Sequence, residues 1–147
     1  MGGPDFRNES VLPHRLASGI IEMPMTILYT GLLKKEGVFG KFYAQLPKGI
    51  FKRTINLLFR QKWLRIFPTT TYRDFKNILN AARVNNLPAL VFMVHSTELH
   101  FGTSSYTKNE ADVEFMYKKL EELFSLMKKE GLTGITLSDF AKSWMIY

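Results

Sequence analysis

Four side chains in this sequence offer acid–base chemistry: His95, Glu98, Glu22 and Arg65. His95 closes a short apolar run, Leu90-Val-Phe-Met-Val94, and polar residues and Gly102 follow it. A buried strand that ends on a titratable side chain reads this way, and α/β proteins place their chemistry at the C-terminal ends of strands. A histidine at such a rim can act as a general acid if a carboxylate or water holds its tautomer, and Glu98 is the nearest carboxylate in sequence. Taken alone, the same histidine is more often a satisfied structural residue. Arg65 sits in Trp63-Leu-Arg-Ile-Phe67, where alternation puts Trp63, Arg65 and Phe67 on one face. Glu22 lies in Gly19–Leu28, a strand pattern interrupted by Pro24, and faces either a polar cleft or solvent at a sheet edge.

Other chemistries have less support. No cysteine is present, which excludes disulfides, thiol catalysis and thiolate metal sites. The three histidines, His14, His95 and His100, form no His-x-x-x-His or His-Glu-x-x-His pattern. A site from His95, Glu98 and His100 is geometrically possible but unspecific. Gly-x-Ser-x-Gly, Gly-x-Gly-x-x-Gly and Walker sequences are absent, as are the nucleic-acid-binding modules. From Lys34 to Arg65 there are nine basic residues and one acid, Glu36, so this segment holds +8 of a chain whose net charge is +7. It is either a solvated face or a contact for an anionic partner.

The elements that must position these residues alternate. Strands are expected at Gly19–Leu28, Trp63–Phe67, Leu90–Val94 and Gly134–Leu137. Helices are expected over Ile50–Gln61, from the capping box Thr71-Tyr-Arg-Asp74 to Asn85-Asn86, from the capping box Thr107-Lys-Asn-Glu110 to Gly131, and from Ser138 onward. In the central strand Val91, Met93 and His95 share one face, and Leu90, Phe92 and Val94 the other. This β–α order implies an α/β fold with parallel strands and right-handed crossovers, either a small open sheet or part of a (β/α) barrel. With 147 residues and 46% apolar content, one domain spanning 1–147 is expected. The N-terminus lacks a signal-peptide core. The longest apolar stretch, Gly19–Leu33, is too short for a bilayer and contains Glu22 and Pro24. The chain reads as soluble and cytoplasmic.

Val91-Phe-Met-Val-His95-Ser-Thr-Glu98-Leu, Gly102, Ser105-Tyr106-Thr107, Glu110-Ala-Asp112-Val113 and Gly134-Ile-Thr-Leu137-Ser138 resemble the C-terminal part of polysaccharide deacetylases of the NodB-homology type. Gly19–Thr26 and Trp63-Leu-Arg65 look like earlier strands of that domain, so the resemblance covers about residues 17–147. It implies part of a distorted (β/α)7 barrel that removes N-acetyl groups from sugars with a divalent, zinc-like metal. Met93-Val94-His95 is similar to the family's late Leu-x-His motif, with methionine for leucine, and this implies that His95 is the general acid for the departing amine. The expected catalytic residues are His95 and Glu98, and the expected substrate-binding residues are Glu22, Arg65 and Tyr106.

The family's metal-binding aspartate, its His-x-x-x-His and its aspartate base are not found here, and Ser105 stands where a proline is expected. The resemblance therefore implies no cofactor bound by this chain alone. It implies a carbohydrate substrate and a need for an N-terminal half before deacetylation, and the open sheet edge of an incomplete barrel implies a chain that aggregates or forms a homo-oligomer. The alternative is an inactive fragment or a carbohydrate-binding or assembly protein using the same cleft. An anionic-partner binder acting through residues 34–65 is a third reading.

Overall fold

The computed structural model describes residues 10–31 and 59–144. Two antiparallel pairs form its sheets. In the first, β1 (His14–Arg15) pairs with β2 (Ile21–Glu22), with His14 opposite Glu22. In the second, β3 (Ile27–Gly31) pairs with β4 (Phe59–Trp63), with Ile27 opposite Trp63. The expected strand over Gly19–Leu28 is thus divided between two sheets, with the Met23–Met25 stretch and its Pro24 between them. Proline has no N–H to give to a ladder, which suits this break. The helix expected over Ile50–Gln61 lies mostly outside the described residues, and its last part, 59–61, is strand instead. These residues pair with β3, a partner that local periodicity does not reveal.

Helix α1 (Tyr72–Val84) begins at the expected capping box: Thr71 Oγ1 accepts the Asp74 N–H (3.3 Å) and Asp74 Oδ2 accepts the Thr71 N–H (3.0 Å). Its Phe75, Ile78, Leu79 and Ala82 are buried, as their spacing predicts. Helix α2 (Glu110–Lys129) is capped by Asn109, two residues beyond Thr107, with Asp112 completing the box. Gly131 follows it at φ 77, a left-handed stop that a side chain disfavours. Helix α3 (Leu137–Trp144) is capped by Thr136, whose Oγ1 accepts the Asp139 N–H (3.1 Å), rather than by Ser138. Leu137, expected to end a strand, is already helical, and 132–136 have no ladder partner among the described residues.

One core joins these pieces. Leu28 of β3, Leu64 and Ile66 beyond β4, the inner face of α1, and Met116, Leu123 and Leu126 of α2 are buried together. Leu90 and Phe92 pack against this cluster, and the Phe92 ring meets Phe124 edge-on at 5.9 Å. The apolar run before His95 thus uses the expected Leu90 and Phe92 face for the core. It is extended but forms no regular ladder. Instead it is stitched in at two points. Thr26 donates its N–H to Val91 O (3.3 Å) and accepts the Val91 N–H on Oγ1 (2.8 Å), while Met93 donates to Leu64 O (3.3 Å). Both regular sheets among the described residues are antiparallel, and the parallel pairing of a (β/α) barrel is not among them. No described helix is long and apolar enough to cross a membrane.

Candidate functional site

The site is assembled from two stretches of irregular chain. The first follows β4. The strand's alternation continues beyond its last paired residue: Leu64 and Ile66 turn into the core, and Trp63, Arg65 and Phe67 take the opposite side. Leu64 is fixed from both sides, donating to Thr26 O (2.8 Å) and accepting from Met93. Arg65 is thereby presented from a backbone that packing and hydrogen bonds hold still.

The second stretch is the 3₁₀ turn Ser96–Leu99 directly after His95. Glu98 in this turn is 2% exposed. Its Oε1 accepts a hydrogen bond from Arg65 Nη2, and its Oε2 accepts the main-chain N–H of His95 (3.3 Å). A carboxylate this deep is tolerable only with a cation and further donors on its lone pairs, and Arg65 and the His95 amide supply both. The guanidinium is clad in turn by aromatic rings. It lies 5.3 Å from the Phe67 centroid and 5.6 Å from that of Tyr106, and the two rings meet edge-on at 5.9 Å. Ring faces attract a cation where water is scarce. The Nε of Arg65 is buried and has no hydrogen-bond partner among the described residues.

His95 itself is exposed at the rim of this arrangement. Glu98 was expected to hold its ring; the carboxylate holds its backbone instead and is committed to Arg65. The loop beyond is cross-braced. Thr103 Oγ1 donates to the carbonyls of Thr97 (2.6 Å) and His100 (2.9 Å), Thr107 Oγ1 donates to His100 O (3.2 Å), and Gly102 N–H donates to Thr107 O (2.7 Å). Gly102 turns this loop at φ 75. His100 stacks on Phe101 with centroids 4.8 Å apart and contacts the Phe101 carbonyl through Nδ1 (2.8 Å).

Of the five residues singled out by sequence, Arg65, Glu98 and Tyr106 meet in one cluster and His95 adjoins it through its backbone. Glu22 does not join them. It stands exposed on the N-terminal hairpin, where its carboxylate is 3.6 Å from His14 Nε2, so its solvent-facing alternative is the observed one. Phe67 had been placed on the Arg65 face by alternation but given no role, and it proves to be half of the aromatic cladding. Thr26 carried no signal: a threonine in an apolar strand gives no hint that its hydroxyl will bind a residue 65 positions away.

The described residues contain no group of three His, Cys, Asp or Glu side chains placed to hold a metal ion. Among the described residues, Glu98 is spent on Arg65, His14 faces Glu22, and His100 lies against Phe101. Comparison with family models, with curated proteins and with solved structures gave no match in any of the three.

Proposed function

We propose that this chain is the general-acid side of a polysaccharide deacetylase-like domain of (β/α) type, serving hydrolysis of N-acetyl groups on a sugar or glycan within the complete catalytic domain. One observation carries the reading. Arg65, Glu98 and Tyr106, chosen from separate parts of the sequence, converge at the base of the turn that bears His95. Such a cluster fixes the direction in which the exposed imidazole leaves the scaffold. Amide hydrolysis breaks the C–N bond, and the nitrogen must gain a proton to depart as an amine. His95 supplies that proton from a rim accessible both to substrate and to water for reprotonation. Arg65 and Glu98 act as positioning residues through the His95 backbone. No step of this proposal runs through a metal held by the described residues. The water-activating ligands of the family belong to a segment that would have to be supplied alongside this chain.

The test is acetate release from an N-acetylated oligosaccharide by a complete domain, with the ligand-bearing segment supplied in trans. His95→Ala is expected to lower kcat by about 10²–10⁴-fold with an unchanged melting temperature. A kcat within about threefold of the parent would remove His95 from the mechanism, because loss of a general acid exceeds that. A second reading, carbohydrate binding without catalysis, is favoured by the commitment of Glu98 to Arg65, which leaves the His95 ring without that carboxylate. It predicts sugar binding with no acetate release in the same assay.

A further inference from the structure

Beside the Arg65 cluster lies a cavity of about 310 Å³ to which none of the foregoing chemistry is assigned. Its size is at the lower end of the roughly 300–1,000 Å³ usual for small-molecule sites, room for a sugar unit rather than a long chain. Phe67 is the shared wall: one side of its environment is Arg65 and Tyr106, and it also lines the cavity. Trp63 stands across the same wall, its ring edge-on to Phe67 at 6.5 Å, and remains 39% exposed. A tryptophan kept half in solvent, beside hydroxyls and an amide, presents a flat apolar face with hydrogen-bonding groups at its margin. Gln61, Thr69 and Thr70 provide that margin, although Thr70 Oγ1 already accepts the Phe67 N–H (2.8 Å).

The cavity's charges decide what it can take. Lys62 and Asp74 both line it, and they are paired at 2.9 Å. Asp74 also accepts from the Thr71 hydroxyl (2.9 Å) and the Thr71 N–H, so its carboxylate is occupied from within the protein. Among the described residues, the walls therefore offer no free cation for an anionic ligand and no free carboxylate for an amine. An apolar ring face, a polar margin and cancelled charge together describe a site for a neutral pyranose, whose C–H face is apolar and whose rim is hydroxylated.

We propose that the Trp63–Phe67 cavity is a subsite for one neutral hexose or N-acetylhexosamine unit of a glycan, on the side of Phe67 away from Arg65. This inference rests on the deacetylase-like reading for the identity of the glycan, but its binding chemistry does not need catalysis. The measurement is nitrogen-15 NMR on the full chain, which has two indole N–H reporters, Trp63 and Trp144. Titration with a neutral N-acetylglucosamine tetramer should move the Trp63 indole signal and leave that of Trp144 in place. Galacturonate oligomers of the same length should bind at least about tenfold more weakly. Trp63→Ala should weaken tetramer binding by about tenfold or more, and Gln61→Ala and Thr69→Ala, both at exposed positions, by a few-fold each. Lys142→Ala, at a 76% exposed side chain of α3 that does not line the cavity, should leave tetramer binding within about twofold. A Trp63 signal unmoved at saturating tetramer, or moved more readily by the galacturonate series, overturns the subsite. Absence of acetate release from the complete domain, with the ligand-bearing segment supplied in trans and the Trp63 shift intact, would instead overturn the catalytic reading alone.

Discussion

Two acid–base pairs in this molecule use similar groups and live in opposite surroundings. Arg65 and Glu98 join segments 33 residues apart, with side chains 11% and 2% exposed between two aromatic rings. His14 and Glu22 face each other across the short β1–β2 hairpin, 34% and 50% exposed. Water screens the second pair and competes for both partners, so its attraction is small. Around the first pair there is little water to take over if one partner is lost. The difference is in dependence: the hairpin tolerates losing its pair, whereas the site is defined by its own.

Breaking the buried pair from one side should give the largest effect. Arg65→Ala leaves the Glu98 carboxylate buried without its cation and should cost about 3–5 kcal/mol, read as a lower urea midpoint. The double variant Arg65→Met, Glu98→Leu should recover most of that loss, because it removes both charges and keeps the volume. A double variant as unstable as Arg65→Ala would show that the pair itself, rather than the orphaned charge, carries the stability.

Asp74 is an intermediate case, half-sheltered and paired with Lys62. Burial tends to raise its pKa, but this is outweighed by the Thr71 backbone N–H, the Lys62 ammonium and the Thr71 hydroxyl, and the carboxyl is held below its usual range. A carboxylate with a depressed folded pKa stabilises the protein above its unfolded pKa, and this contribution fades as pH falls through the folded value. Asp74→Asn should cost about 1 kcal/mol near neutral pH through the loss of the capping charge and the Lys62 partner. It should also flatten the decline in stability below about pH 4. Equal acid slopes for parent and variant would exclude Asp74 as a contributor. The smallest effect is expected at the hairpin, where Glu22→Ala should change unfolding free energy by less than about 0.5 kcal/mol, and increasingly less at high salt. A loss above about 1 kcal/mol would place Glu22 in a structural role that its exposure does not suggest.

How much of this was legible in the sequence follows from how local each signal is. The start of α1 was readable because Thr71 and Asp74 bond each other three residues apart, and the buried stripe Phe75–Ile78–Leu79–Ala82 repeats at the helical period. For α2 the helix was readable, but its cap lies at Asn109, because two candidate boxes overlap in Thr107–Asp112. Strands were less legible. An alternating pattern shows that a segment can pair but says nothing of its partner, so Trp63–Phe67 was read as a strand although ladder pairing stops at Trp63. Arg65, Glu98 and Tyr106 stand out in the sequence only singly, as candidates. Their meeting was not legible, since no local pattern links a post-strand arginine to a glutamate in a 3₁₀ turn.

Thr26 has a consequence for the order of events in folding. Its two bonds to Val91 connect positions 65 residues apart, and one of them uses the hydroxyl where a regular ladder would use a carbonyl. Closing a loop of that length costs entropy before any contact repays it, and such closures belong to the slower part of a folding reaction. Helices α1 and α2, with self-contained caps, can form earlier by local contacts alone. The segment that carries His95 therefore acquires its final placement only after Thr26 has been brought against Val91. A nascent chain has its two long helices before it has the segment that bears His95.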